Sequence, residues 1–346
     1  MKPIRRALLS AAALSAALSG FAVAPAHAAE VTLRFHQMLP SMATIPRFAI
    51  KPWIKAVEQA SGGRIDIKQY DGMALGGKPP ELFDQAKDGV VDIIWTVLGY
   101  TPGRFPKTEV FELPFMTKDA TSGSEAIQAF VEKDAMDEFK DVKLICVHTH
   151  GPGMIHSNKP VEKMEDMKGM KLRGGSRVIN DLLVKLGATP VGMPVTGVGE
   201  ALSKGVIDGT TIPWEVVPAF KVHQLVHNHT GFDKGTALYT STFGVVMNKA
   251  KYESLPGDLK KVIDDHSGMY CADLFGKAMD EGDAKSKAMV QKAGNKVITI
   301  DAVEMQRWKR YAAVVTDEWI ERTNKAGLNG KQLLSDAQAM IAKYNK

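Results

Sequence analysis

The chain is poor in the signatures that mark most enzymes and nucleic-acid-binding proteins. It holds two cysteines in 346 residues, Cys146 and Cys271, too few for a disulfide framework. Cys146 lies in the apolar run Lys-Leu-Ile-Cys-Val and Cys271 in a long helical pattern, which reads as two buried free thiols, the alternative being the bridge that an exported protein could form between them. Neither sits in the electropositive setting of a nucleophile. There is no HExxH, no Cys/His pairing at zinc spacing and no GxSxG elbow, so metal-assisted and serine hydrolysis lack a signature. No block of like charges occurs, which removes the electrostatic footprint of nucleic-acid binding. Beyond the first two dozen residues no apolar run is long enough to span a bilayer, and the mature chain is expected to be soluble. Internal repeats and low-complexity segments are absent as well.

What is present is an ordinary globular composition, 45% hydrophobic and 24% charged, with material for two cores. The first segment stands apart. Lys2, Arg5 and Arg6 precede the Ala/Leu-rich stretch Ala7 to Val23, and Ala26-His27-Ala28 supplies small residues for cleavage. This predicts a secretory signal peptide over 1–28, cut after Ala28, and hence a periplasmic location. Removing its three basic residues lowers the formal charge from +5 to +2. Arg5-Arg6 alone is weak support for twin-arginine export.

Downstream, apolar patterning alternates between strand and helix. Val31 to Phe35 predicts a first strand ending at His36-Gln37, followed by a helix over about 48–61 and a strand from Arg64 to Tyr70. Pro79-Pro80 opens another helix, Val90 to Val97 reads as a β-branched strand, a helix runs from Ser124 to Phe139, and Val142 to Val147 closes a first α/β lobe. Gly151-Pro152-Gly153 marks a crossing into a second lobe, and Tyr239 to Met247 returns. From Asp258 to about Ala293 helical periodicity persists, weakened only by Gly268, Gly276 and Gly282, which predicts one helix long enough to cross both lobes. Val297 to Ile300 is a short strand and Ala302 to Tyr344 reads as terminal helices. The expected division is 29–150 plus about 238–275 as lobe I, and 151–237 plus about 276–346 as lobe II. Two lobes joined by several crossings form a hinged clamp around a cleft.

Two motifs are weighed and set aside. Gly72 to Lys78 fits G-x-x-x-x-G-K, but Pro79 stands where a P-loop needs Ser or Thr, so a turn feeding a helix is the better reading. His223, His227 and His229, and the pair His148 and His150, lack the converging ligands of a zinc site and read as hydrogen-bonded or solvent-facing. No metal and no cofactor are expected.

The stretch from Glu165 to Val216 alternates strand, helix, strand, helix, strand, the grammar of a parallel sheet covered by helices. Ligands of such sheets lie beyond the carboxyl ends of the strands, and Arg173 sits at such an end. A guanidinium there can clamp a carboxylate through two parallel N–H···O bonds; the competing reading is a surface ion pair with a carboxylate such as Glu165. The blocks Lys168 to Arg173 (KGMKLR), Leu186 to Pro194 (LGATPVGMP) and Glu200 to Gly209 (EALSKGVIDG) closely resemble the solute-binding proteins of TRAP (tripartite ATP-independent periplasmic) transporters, the DctP-like family. Further matching blocks at 75–93, 103–115, 157–169 and 245–256 extend the resemblance over nearly the whole mature chain.

The resemblance implies a type II periplasmic-binding-protein fold with a long helix spanning both lobes. It also implies that Arg173 clamps the ligand's carboxylate, and that the partners are a small four-helix membrane subunit and a large transport subunit driven by an ion gradient. The departures from the family pattern are informative. Gly151-Pro152-Gly153-Met154 stands where many members carry a second arginine, Ile212 replaces a carboxylate-binding Asn after Thr211, and Val97 and Val195 align with a polar and an aromatic pocket residue. Trp95 lies two residues before Val97 and so on the same strand face, and Trp214 follows the altered turn. The candidate binding set is therefore Arg173, Trp214, Trp95, Val97, His36, Gln37, Met154, Val195, Thr211, Ile212 and Phe243. One strong cation amid apolar surface predicts a monocarboxylate with an apolar or aromatic body, or a small 2-oxo acid. The expected protein is a non-enzymatic, monomeric receptor delivering that acid to a permease. A sensory receptor with the same pocket, and a periplasmic enzyme, are the alternatives.

Overall fold

The computed structural model describes residues 29–345; the expected signal peptide, 1–28, lies outside the described residues. Eleven strands are formed among them: β1 Val31–Gln37, β2 Ile65–Tyr70, β3 Ile93–Val97, β4 Val142–Thr149, β5 Met154–Ser157, β6 Lys171–Gly174, β7 Thr189–Gly192, β8 Gly209–Ile212, β9 Asn228–Phe232, β10 Thr242–Asn248 and β11 Lys296–Ile300. The α-helices are α1 Lys51–Ala60, α2 Leu82–Lys87, α3 Ala120–Phe130, α4 Arg177–Lys185, α5 Val198–Ser203, α6 Val222–Leu225, α7 Lys249–Glu253, α8 Gly257–Asp265, α9 Met269–Lys292, α10 Ala302–Lys325 and α11 Gly330–Tyr344.

The strands divide into two mixed sheets, a five-stranded one of order β2-β1-β3-β10-β4 and a six-stranded one of order β11-β9-β5-β8-β6-β7. Helices cover both, which gives the two-lobe α/β clamp. Each sheet is parallel apart from one inserted strand. β10 runs antiparallel to β3 and β4, and β5 antiparallel to β8 and β9. These are the strands that arrive from the opposite sheet: the chain crosses at 150–153 between β4 and β5 and returns at 233–241 between β9 and β10. The two crossing segments are bonded to each other. Thr240 Oγ1 donates to the His150 carbonyl at 2.8 Å, and the Gly153 N–H to the Tyr239 carbonyl at 3.0 Å.

Local chemistry explains the elements that carry the site. β3 reads Ile-Ile-Trp-Thr-Val and is buried throughout, as a central strand covered on both faces should be. In α4 the Ser176 hydroxyl caps the Ile179 N–H, Val178, Ile179, Leu182 and Leu183 bury one face, and Gly187 at φ +90° ends the turn. This holds Arg173, at the end of β6, in a fixed relation to the helix that follows.

The single helix expected over Asp258 to Ala293 is two helices. Gly268 adopts φ +60° and ψ −132°, outside helical space, and its N–H bonds to the Ile145 carbonyl of β4 at 2.7 Å. The remaining 24-residue α9 still spans both lobes. A Cβ on Gly276 would lie 2.8 Å from Thr121 Cα of α3, and one on Gly282 would lie 2.9 Å from Glu215 Cβ beyond β8. These glycines are close-packing points. The terminal helices also bridge: α10 packs on α4 beside the second sheet, and α11 on α3 beside the first. The expected helix from Ser124 to Phe139 starts earlier, where Asp119 caps Ser122, and its last turns are irregular.

The expectation of two free thiols is corrected. Cys146 of β4 and Cys271 of α9 form a disulfide with their Cα atoms 5.8 Å apart. The apolar neighbours that suggested burial are real, but β4 and the first turn of α9 bring the two sulfurs together across 125 residues of sequence. No helix among the described residues is long and apolar enough to cross a membrane.

Candidate ligand-binding site between the two sheets

A cavity with about 430 Å³ of empty space, counting its opening to solvent, lies between the sheets at the carboxyl ends of β3, β6 and β8. Both lobes and both crossing segments contribute to it. Of the predicted set, Arg173, Trp95, Val97, Val195, Thr211, Ile212 and Phe243 line it.

Arg173 is only 4% exposed. Its Nε donates to the Met193 carbonyl at 2.8 Å, Nη1 to the Thr211 carbonyl at 3.1 Å and Nη2 to the Tyr100 hydroxyl at 3.3 Å. All three acceptors are neutral. A guanidinium carries five N–H donors, so one hydrogen remains on each Nη. Burying a cation without an anion is costly, and the arrangement leaves a forked donor pair suited to a carboxylate. The competing surface pair with Glu165 is not formed, because Glu165 engages Arg307 on the surface. Gly175 keeps the guanidinium's place open: a Cβ there would lie 3.0 Å from Nη2 and 3.2 Å from Nη1.

The opposite wall is aromatic. Trp95 and Phe243 stack with centroids 5.1 Å apart and planes 10° from parallel, and the His148 ring lies alongside both, 4.8 Å from Phe243 and 6.2 Å from Trp95. Burial lowers the His148 pKa to about 3, and the neutral ring accepts the Trp95 indole N–H at 2.8 Å. His150 is likewise held neutral, at about 4, by burial and secondarily by Arg173. Its Nδ1–H donates to the Gly151 carbonyl and its Nε2 accepts the Ser241 N–H at 3.0 Å. Met38, Leu39, Val216 and Tyr239 complete an apolar enclosure. Glu215 reaches its edge, and burial pushes its carboxyl up to about 8. Its N–H donates to Asp283 at 2.7 Å, whose carboxyl burial raises well above the usual range, with Glu215 adding to the effect.

Four predicted residues are not brought to the cavity. His36 bonds Gln85 at 2.8 Å on the far side of β1. Gln37 turns inward and pins the following loop, its Nε2 donating to the Leu39 carbonyl and to Asp71, each at 2.7 Å. It thereby positions Leu39 without facing the cavity. Met154 lies over Gly231 of the neighbouring strand. Trp214 turns away after Pro213 and packs on His156 and His229, both 5.2 Å distant. That histidine pair is a directed chain: His156 Nε2–H donates to the Ile212 carbonyl at 3.1 Å, and His156 Nδ1 accepts from His229 Nδ1–H at 2.7 Å. No group of three or more His, Cys, Asp or Glu side chains among the described residues is arranged to hold a metal ion.

Tyr100, Tyr239 and Glu215 line the cavity without having been expected there. Tyr100 lies three residues beyond Val97, past the carboxyl end of a central strand, and that position was the available signal.

The sequence model of the bacterial extracellular solute-binding proteins, family 7 (DctP), matches residues 35–323. Among solved structures, a TRAP solute-binding protein from Rhodoferax ferrireducens with copurified benzoate is 47% identical, covering 91% of this chain and 98% of its own, with a TM-score of 0.89. A marine-metagenome TRAP solute-binding protein specific for aromatic acid ligands, with 3-hydroxybenzoate, is 45% identical over 92% of this chain and 100% of its own, with a TM-score of 0.90. The C4-dicarboxylate-binding periplasmic protein DctP of Rhodobacter capsulatus is 26% identical over 91% of this chain and 93% of its own.

Proposed function

The chain belongs to the bacterial extracellular solute-binding proteins of family 7, the receptors of TRAP transporters, and from that premise we propose that its ligand is an aromatic monocarboxylate. The observation that carries this reading is a buried Arg173, its protein partners all neutral, opposite the stacked rings of Trp95 and Phe243. The carboxylate lies on the two remaining Nη hydrogens and the ring against the aromatic wall. Relatives holding benzoate and 3-hydroxybenzoate support the assignment.

Other acids fit less well. A C4-dicarboxylate needs a second cation, and Arg173 is the one cationic side chain among the lining residues. A sugar acid would leave hydroxyls unpaired against Val97, Val195 and Ile212, at about 1–3 kcal/mol each. A small 2-oxo acid would satisfy Arg173 but leave the aromatic wall uncovered.

Capture works through differential affinity for the shut clamp. In this reading lobe I comprises 29–150 and about 238–275, lobe II comprises 151–237 and about 276–346, and α11 returns to pack on lobe I. The protein acts in the periplasm as a monomer, beginning at Ala29, without turning its ligand over, and hands it to a small and a large membrane subunit. Calorimetric titration with benzoate, 3-hydroxybenzoate, pyruvate, succinate and glucuronate tests the ligand assignment. Tight binding confined to the aromatic acids is expected. Tight binding of glucuronate or succinate with no affinity for benzoate would overturn it.

A further inference from the structure

Tyr100 follows β3 in the first sheet's lobe, yet both hydrogen bonds at its hydroxyl come from the other lobe. The Val195 N–H donates to it at 2.8 Å and Arg173 Nη2 at 3.3 Å. A phenol oxygen has two lone pairs and one hydrogen. Both partners are donors, so they occupy the lone pairs and leave the hydrogen free to be donated. Because the oxygen sits 3.3 Å from Nη2, that hydrogen has the space in front of the guanidinium within reach.

The ring has a second position of interest. Tyr100 lines the ligand cavity on one side and, on the other, an outer cleft with about 810 Å³ of empty space counting its opening to solvent. Pro80 and Pro102 from one lobe and Ser176 and Met193 from the other border that cleft. Tyr100, together with Gly175, is therefore part of the partition between the ligand cavity and the outer cleft.

We propose that Tyr100 is a ligand-positioning latch: its hydroxyl donates to the carboxylate held by Arg173 while accepting Val195 N–H and Arg173 across the cleft. This rests on the reading of Arg173 as the carboxylate clamp. A hydroxyl that donates to an anion becomes a better acceptor, since linked hydrogen bonds polarise one another. A bound carboxylate thus strengthens both bonds that fasten the lobes, and the same side chain stands between the carboxylate site and the outer cleft.

The test is Tyr100→Phe, which keeps the ring as partition and removes the hydroxyl. Benzoate affinity and dissociation rate are measured for wild type, Tyr100→Phe and Arg173→Ala, together with melting temperature with and without benzoate. The expected result for Tyr100→Phe is an affinity loss of about tenfold to a hundredfold, as for a lost hydrogen bond to a charged group. The loss should lie mainly in faster dissociation, with a benzoate-induced rise in melting temperature smaller than that of wild type. A purely structural tyrosine would lower the melting temperature but leave the benzoate-induced rise intact, which overturns the latch. Affinity and dissociation within twofold of wild type overturn it too. If wild type itself does not bind benzoate, the aromatic-acid reading fails and the latch with it. If Arg173→Ala alone abolishes binding, only the latch fails.

Discussion

The second sheet brings to the cavity a guanidinium whose partners are neutral oxygens, whereas the first brings the rings of Trp95 and Phe243, with the Trp95 indole N–H already bonded to His148. One side offers charge and direction, the other area and shape. Neither suffices alone: a carboxylate on an open lobe competes with water, and a ring on an open aromatic wall is half solvated. Only the shut clamp supplies both, so the energy of capture is also the energy of closure.

Removing the charged side should have the largest effect. Arg173→Ala is expected to weaken benzoate and pyruvate alike by about a thousandfold, on the order of 4 kcal/mol, as for loss of a buried charged partner. Titration reads the loss, and an unchanged circular dichroism spectrum would exclude unfolding. Removing the aromatic side should split the two ligands. Trp95→Ala is expected to cost benzoate about ten- to a hundredfold and pyruvate little, and to lower the melting temperature, because a large core side chain is lost and His148 is left without its donor. Equal losses for both ligands would erase the distinction between the walls. A smaller, more local change is Gly175→Ala, whose added methyl presses on Arg173. About a tenfold loss of affinity is expected for every carboxylate, read by the same titrations.

The smallest effect concerns the rim and is one of stability. The Glu215 carboxyl titrates near 8 in the fold, against an ordinary value near 4.5 when unfolded. As pH rises between these values the unfolded chain ionises first, the native state holds the extra proton, and stability falls. Its contribution is fully present below about 4.5 and lost as pH rises through about 8. Glu215→Gln should therefore melt increasingly higher than wild type as pH is raised from 6.5 to 8.5. The buried His148, His150 and His156 are neutral in the fold and protonate near pH 6.5 only when unfolded, so they add an opposing slope at the low end of that range, but it is common to both proteins and cancels in the comparison. Parallel melting curves for the two proteins would reject this assignment.

Much of the architecture was legible because strand and helix periods are local properties. The alternation through β6 to β8 placed Arg173 at a strand end, and the two-residue period placed Trp95 beside Val97. Chain direction after a proline is not local: Trp214 follows Pro213, and only the path of that turn decides that the indole faces His156 and His229. Gln37 shows the same limit, since an amide near a strand end can face a ligand or brace a loop, and here Leu39 and Asp71 claim it. The break at Gly268 was hidden for a related reason. A glycine within a helical pattern either weakens or ends it, and the Ile145 carbonyl that fixes its conformation lies more than a hundred residues away. The disulfide is only the lesser reading of the sequence because two apolar cysteines 125 residues apart carry no mark of proximity.

That bridge ties the maturation of the fold to its surroundings. A cross-link spanning so long a segment restricts the unfolded chain by on the order of 4 kcal/mol, yet it does not persist where glutathione keeps thiols reduced. A copy held in a reducing compartment would lack this restraint. In an oxidising compartment the bridge anchors the start of α9 to β4 and stiffens the molecule.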